Sequence, residues 1–203
     1  MAEITAALVK QLREATDCGM MDCKKALVEC DGDMKKATEY LQVKGLAKAA
    51  KRGARETSEG YIGVYRHHDG KTAIIVEVNC ETDFVARNED FRFFCNELAL
   101  HICGCNPAVV SRENVDPAVI AEKRELFVKQ LDEDPKNAKK PAEIREKIVN
   151  GKVDSWLGEI SLLDQKWMGD GDDTVEQKRA AICAVTGENI RIKRFARISV
   201  GEK

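Results

Sequence analysis

Asp83 and Phe84 stand side by side in the run Cys80-Glu81-Thr82-Asp83-Phe84-Val85-Ala86-Arg87-Asn88. An acid and a large, stiff aromatic at the end of one element and before the next can project from a rigid base at low entropic cost. Spacing alone favours a plainer reading, with Phe84 as a core residue at a strand–helix junction and Asp83 as a turn or capping residue. The cysteines at 18, 23, 30, 80, 95, 103, 105 and 183 raise a second question. An even count suggests a disulfide framework, but a long, core-capable chain without a secretory signal argues for reduced thiols. Zinc needs four ligands at suitable spacing. The nearest grouping, Cys95, His101, Cys103 and Cys105, begins inside a helical pattern and has no CxxC pair beside it. Ordinary thiols are the expectation, with no metal and no cofactor. His67 and His68 sit by a turn and read as surface residues. The chain has no Ser/His/Asp grouping, HExxH, P-loop or GxGxxG. Neither covalent catalysis nor a nucleotide site is therefore expected on it.

The chain has 203 residues, 43% hydrophobic and 33% charged, with a formal net charge of −2. That suits one large domain, or an ordinary domain with a small module, and excludes a disordered tail. Charges of both signs are mixed, so the basic stripe of a nucleic-acid binder is missing. Lys44 to Arg55 is locally basic and reads as a solvated face rather than an RNA site. No run of about eighteen apolar residues is present, so no membrane span is expected. Met-Ala-Glu-Ile-Thr at the start does not read as a secretory signal. A cytoplasmic protein without direct nucleic-acid contact follows.

The elements that must carry these residues are legible from periodicity. Ile4, Leu8, Leu12 and Ala15 recur at helical spacing, with Thr5 as N-cap. A second helix is expected from Asp22 as N-cap, with Cys23, Ala26, Leu27 and Cys30 inward. A third, after the turn Asp31-Gly32-Asp33, carries Met34, Ala37, Tyr40 and Leu41 and is expected to end near Lys44-Gly45. Residues 46 to 59 read as the tail of a helix running into a linker. From Gly60 the period becomes two: Tyr61 to Arg66, a turn at His68-Asp69-Gly70, then Thr72 to Cys80 with Ile74, Val76, Val78 and Cys80 on one face. Gly63 marks a place for close backbone approach. Helices are expected over Asn88 to Cys103, Pro117 to Leu131, Pro141 to Val149, Val153 to Leu163 and Thr174 to Val185. Asn150-Gly151 divides two of them, and Asp132 to Lys140 forms a polar loop with Pro135. A final strand, Ile190 to Val200, puts Ile190, Ile192, Ala196, Ile198 and Val200 on one face, interrupted by Arg194. The expected fold is α+β: an N-terminal three-helix module over residues 1–52, a linker over 53–59, and an α+β core over 60–203. The core has a small antiparallel sheet of about three strands packed by helices.

The pattern Gly-Met-Met … Ala-Leu … Gly-Asp-Met-Lys-Lys-Ala … Tyr-Leu resembles a UBA-like module. Several longer stretches then agree together: Ile4 to Arg13; Gly19-Met20-Met21-Asp22-Cys23-Lys24-Lys25-Ala26-Leu27; Lys44 to Ala50; Val76 to Asn88; Glu146 to Gly151; and Arg194 to Glu202. With these the chain resembles the elongation factor Ts family over essentially its whole length, in the short form with one core unit. It differs from the family's usual pattern at Lys166-Trp167, where Pro-Phe is common, and at Gln177-Lys178-Arg179, where Gln-Leu-Leu is common.

The resemblance implies a guanine-nucleotide exchange factor rather than an enzyme. Its partner would be elongation factor Tu, from which it would displace Mg²⁺ and promote GDP release so that GTP can bind. It further implies that Thr82, Asp83, Phe84 and Val85 form the segment that dislodges the ion. Arg13, Met20 and Met21 would touch the GTPase, although one of the two methionines is expected to plug the three-helix core. A homodimer through the core is implied as well. Two other readings compete: an adaptor for ubiquitin-like partners built on residues 1 to 45, and a thiol or zinc protein built on Cys95, Cys103 and Cys105.

Overall fold

The computed structural model describes residues 4–16, 18–134, 140–169 and 171–202. Three helices come first: α1 (Ala6–Thr16), α2 (Met20–Glu29) and α3 (Met34–Arg52). The Thr5 hydroxyl accepts the Leu8 N–H at 3.3 Å, and Asp33 Oδ1 accepts the Lys36 N–H at 3.1 Å, so both helices start on side-chain caps. Val9, Leu12, Cys23, Ala26, Leu27, Ala37 and Leu41 close a small apolar core between them.

Two of the expected boundaries move. Asp22 is not the N-cap of α2, because the helix begins at Met20 behind Gly19. Asp22 lies in the first turn instead, and its carboxylate accepts from Lys48 Nζ at 2.9 Å, with Lys44 at 3.7 Å. The hydrogen bond from Lys48 holds the Asp22 carboxyl below the usual carboxylate range. Gly45 does not end α3, which runs on to Arg52. The alanines after it are strong helix formers, and Ala49 is buried in the main core.

The sheet contains β1 (Glu59–Arg66), β2 (Thr72–Cys80) and β3 (Arg191–Ser199), antiparallel throughout in the order β1-β2-β3. The His67 N–H donates to Thr72 O at 2.9 Å and Gly70 adopts φ +70°, which closes the hairpin. Ile74, Val76, Val78 and Cys80 are all fully buried, as alternation requires. A Cβ on Gly63 would stand 2.1 Å from Cys95 O and 3.0 Å from Val76 Cγ1, so the strand passes too close to the covering helix for any side chain. The reading of β3 needs correction. Val78 pairs with Ile192 but Glu77 pairs with Arg194, which leaves Lys193 as an extra residue. That bulge reverses the alternation. Ile192 and Phe195 face the core, whereas Ala196 and Ile198 face outward.

After β2 come the one-turn helix α4 (Asp83–Ala86) and α5 (Glu89–Cys105), which lies under the sheet with Phe91, Phe94, Cys95, Leu98, Ala99 and Ile102 buried. α6 (Pro117–Glu133) and α7 (Ala142–Ile160) form a helical hairpin around Leu131, Val149 and Val153. Asn150-Gly151 therefore does not divide α7. Val149 and Val153 bury on one face across the glycine, and a mid-helix glycine costs only about 1 kcal/mol against alanine. Because α6 runs to Glu133, the expected polar loop begins inside a helix; its residues 135–139 lie outside the described ones.

The final helix, α8 (Val175–Thr186), opens on a capping box of Thr174 and Gln177. The departures from the family pattern are accommodated here. Lys178 pairs with Asp173 at 3.1 Å, and Trp167 stacks on Phe94 and on His101 with ring centroids 5.8 and 5.5 Å apart. α3 packs along α8. Arg52 donates to the Cys183 carbonyl at 2.6 Å and Gln42 to Asp173 Oδ1 at 2.8 Å.

Candidate functional site

The segment Thr82 to Val85 leaves the sheet at Cys80 and turns at once into α4. Thr82 has extended backbone and is the N-cap, its hydroxyl accepting the Val85 N–H at 3.4 Å. Cys80 donates its thiol to Thr82 O at 3.2 Å, and burial pushes that thiol's pKa up to about 11. Val85 packs against the core and Ala86 is buried. Arg92 holds the far end of the turn, donating Nε to Ala86 O at 3.0 Å while its guanidinium lies over the Tyr61 ring. Asn88 caps α5, its Oδ1 accepting the Phe91 N–H at 3.1 Å.

On this braced turn Phe84 is 81% exposed. The reading that makes it a core residue is thereby excluded: Val85 and Ala86 face inward and Phe84 faces solvent. Asp83 is half-exposed, and its carboxylate receives Arg87 at 3.0 Å, one helical turn on. Exposed i,i+4 pairs of this kind are worth about 0.3–0.5 kcal/mol, so Asp83 can be turned to another partner at little cost. Two partners of the segment escaped the sequence reading. Arg87 carried a detectable signal, the i,i+4 spacing from Asp83. Glu188, which holds the Glu81 and Thr82 backbone, lies far along the chain and gave none.

The N-terminal residues lie on the small module. Met20 and Met21 are 55% and 67% exposed at the first turn of α2, and Arg13 is exposed near the end of α1. The expectation that one methionine fills the three-helix core is not met. Met34 packs there instead, together with Leu8 and Ile4. Among the described residues the cysteine and histidine grouping does not converge as three or more metal ligands would. Cys95 is buried in the core, His101 Nε2 meets Gln165 Oε1 at 3.1 Å, and the exposed Cys105 lies 3.8 Å from His101 Nδ1. That Nδ1 accepts the Met168 N–H at 3.1 Å.

Fold and segment together define the class: an α+β protein with a small helical module, presenting an exposed aromatic beside an acid on a rigid turn. Comparison with known proteins places it further. The model of the family described as Elongation factor TS matches residues 3–202. The elongation factor Ts of Fervidobacterium nodosum is 48% identical over 200 residues, covering 98% of this chain and all of that protein. The elongation factor Ts of Desulfotalea psychrophila is 50% identical, covering 98% of both. That of Geotalea daltonii is 46% identical, over 98% of this chain and 90% of its own. The chain belongs to the elongation factor Ts family, and so to the factors of translation elongation.

Proposed function

We propose that this chain is the guanine-nucleotide exchange factor of elongation factor Tu, displacing Mg²⁺ and promoting GDP release so that GTP can bind. Family membership supports the partner, and the exposure of Phe84 on a braced turn is the observation that carries the mechanism. A GTPase holds its nucleotide through a phosphate loop and through Mg²⁺ bridging phosphate oxygens. Release is accelerated by a protein that binds the nucleotide-free form better than the loaded form, and the nucleotide in turn expels the factor. An acceleration of about 10⁴-fold requires a barrier lower by about 5.5 kcal/mol, more than one contact provides.

The task divides between two surfaces. Arg13, Met20 and Met21 form the docking contact, where flexible methionines adapt to an apolar surface. Thr82, Asp83, Phe84 and Val85 form the dislodging segment: Phe84 enters between elements of the GTPase, Asp83 brings a negative charge to the ion's surroundings, and Thr82 and Val85 fix the turn. No bond is made or broken, so the chain works as a binding factor and not as an enzyme. We read it as a module (1–52), a link (53–59) and a core (60–203), acting in the cytoplasm without nucleic-acid contact. No helix among the described residues is long and apolar enough to cross a membrane.

The outer face of the sheet supports a homodimer through the core. Val64, Ile75 and Ala196 pair across it as exposed apolar residues, as do Ala73 and Ile198; Ile62 is exposed beside them, with Arg66 at one end and the Glu77–Arg194 pair at the other. An apolar stripe flanked by charges can meet its own copy across a twofold axis.

The test of the function is direct. Elongation factor Tu loaded with a fluorescent GDP should release it faster when this protein is added, and unchanged release would overturn the proposal.

A further inference from the structure

The foot of the exchange segment is held by a loop from the other end of the core. β2 pairs with β1 up to Cys80 and with β3 up to Asn79, so the backbone of Glu81 and Thr82 lies beyond the ladder. Glu188, between α8 and β3, supplies what the ladder does not. Its Oε2 accepts the Glu81 N–H at 2.9 Å and the Thr82 N–H at 3.1 Å, and its Oε1 accepts the Thr82 hydroxyl at 2.6 Å. The contact is reciprocal. The Glu81 carboxylate accepts the Asn189 N–H at 2.6 Å and the Arg55 guanidinium at 3.3 Å, while the buried Asn189 donates Nδ2 to Arg55 O at 3.0 Å.

The Thr82 hydroxyl has one proton. Donating it to Glu188 leaves a lone pair for the Val85 N–H, so Glu188 sets the rotamer of the cap on which α4 is built. Hydrogen bonds to a carboxylate are the stronger kind, and three converge here on a surface turn rather than in the core. A wedge transmits force only if its base does not yield.

We propose that Glu188 is a positioning residue for nucleotide exchange: it fixes the direction in which Asp83 and Phe84 project by clamping Glu81 and Thr82. The inference rests on reading Thr82 to Val85 as the exchange segment, and the test separates the two. Release of fluorescent GDP from elongation factor Tu is measured at saturating concentrations of the full chain and of five variants: Glu188→Ala, Glu188→Asp, Glu188→Gln, the double variant Asp83→Ala/Phe84→Ala, and that double variant combined with Glu188→Ala. Far-UV circular dichroism confirms folding of each.

Glu188→Ala should lower the maximal release rate about tenfold, because small misplacements of a working group are costly, while affinity for nucleotide-free elongation factor Tu changes far less. Glu188→Asp keeps the charge but shortens the reach, and should be slowed too even if Glu188→Ala fails to fold. Glu188→Gln keeps an acceptor for both N–H groups and an amide that can donate to the Thr82 oxygen, and should restore most of the rate. Glu188→Ala added to the double variant should cost nothing further. The positioning role is overturned by a wild-type maximal rate in both Glu188→Ala and Glu188→Asp, by equal loss in Glu188→Gln, or by losses that multiply. If the double variant itself releases GDP at the wild-type rate, the exchange-segment reading fails and the positioning role fails with it.

Discussion

Phe84 is placed by its neighbours rather than by its own chemistry. In a four-residue helix that follows a strand, successive side chains point in different directions, and Val85 and Ala86 take the two that face the core. The phenyl ring is left in solvent, so it contributes little to folding. Phe84→Ala should change the urea midpoint by no more than the equivalent of about 0.5 kcal/mol, as for other exposed positions. A loss of several kcal/mol would mean that the ring is packed in solution. Whether Phe84 faced in or out was not decidable from spacing, since an apolar residue at a strand–helix junction fits both. The same ambiguity misled the reading of Met20 and Met21. A methionine at helical spacing reads as core, yet both are exposed and Met34 packs in the small module instead.

At the scale of elements, strands with strict alternation were legible and bulges were not. β2 alternates without interruption and its inward residues were identified in full. In β3, Lys193 shifts the phase; the interruption at Arg194 is the local trace of it, but only the partner strand shows that one residue is extra and that the outer half of the strand is reversed. Glycine had two meanings that sequence alone could not separate. Gly63 lies against the Cys95 carbonyl, so Gly63→Ala should destabilise by about 1–3 kcal/mol through overpacking. Gly151 has open space around its Cα inside a continuous helix, so Gly151→Ala should stabilise by about 0.4–1 kcal/mol. Chemical denaturation of both variants checks these opposite signs.

His101 carries a pH dependence at the same scale. Burial pushes its pKa below the ordinary histidine value, with the hydrogen bond to Gln165 opposing in part. The unfolded chain therefore binds this proton more readily than the folded one. The stabilising contribution is complete above about pH 6.5 and is lost as pH falls through the lower folded value. Urea midpoints should decline from pH 7.5 towards pH 5.5, and the decline should be shallower in His101→Gln. Identical slopes would assign the effect to other groups. Asp22 acts at lower pH, since its pKa is depressed from an already acidic value.

At the scale of the molecule, α3 belongs to both cores. Leu41 closes the three-helix cluster and Ala49 the main one, while Gln42 and Arg52 fasten the same helix to Asp173 and Cys183. The surface proposed to dock and the segment proposed to dislodge the ion are thus joined through a continuous helix and not through a free tether. The sequence suggested the helical tail of residues 46–52 but not what it packs on, since contacts between positions about 130 apart leave no local periodicity. The outer sheet face gives a further prediction. If it joins two copies, Ile75→Lys should halve the mass measured in solution, by placing a charge at the centre of an apolar contact. An unchanged mass would assign the face to another purpose.

In the proposed mechanism Asp83 and Phe84 weaken the hold on the bound nucleotide and do not merely add contact area. Fluorescent GDP release from elongation factor Tu, at saturating factor, distinguishes these for the variant Asp83→Ala/Phe84→Ala. An interaction made only while the nucleotide is being expelled alters the maximal rate, whereas uniform contact alters only the concentration needed. The predicted result is a maximal release rate reduced at least about tenfold, with affinity for nucleotide-free elongation factor Tu largely retained. A wild-type maximal rate reached at higher factor concentration would make Asp83 and Phe84 contact surface only.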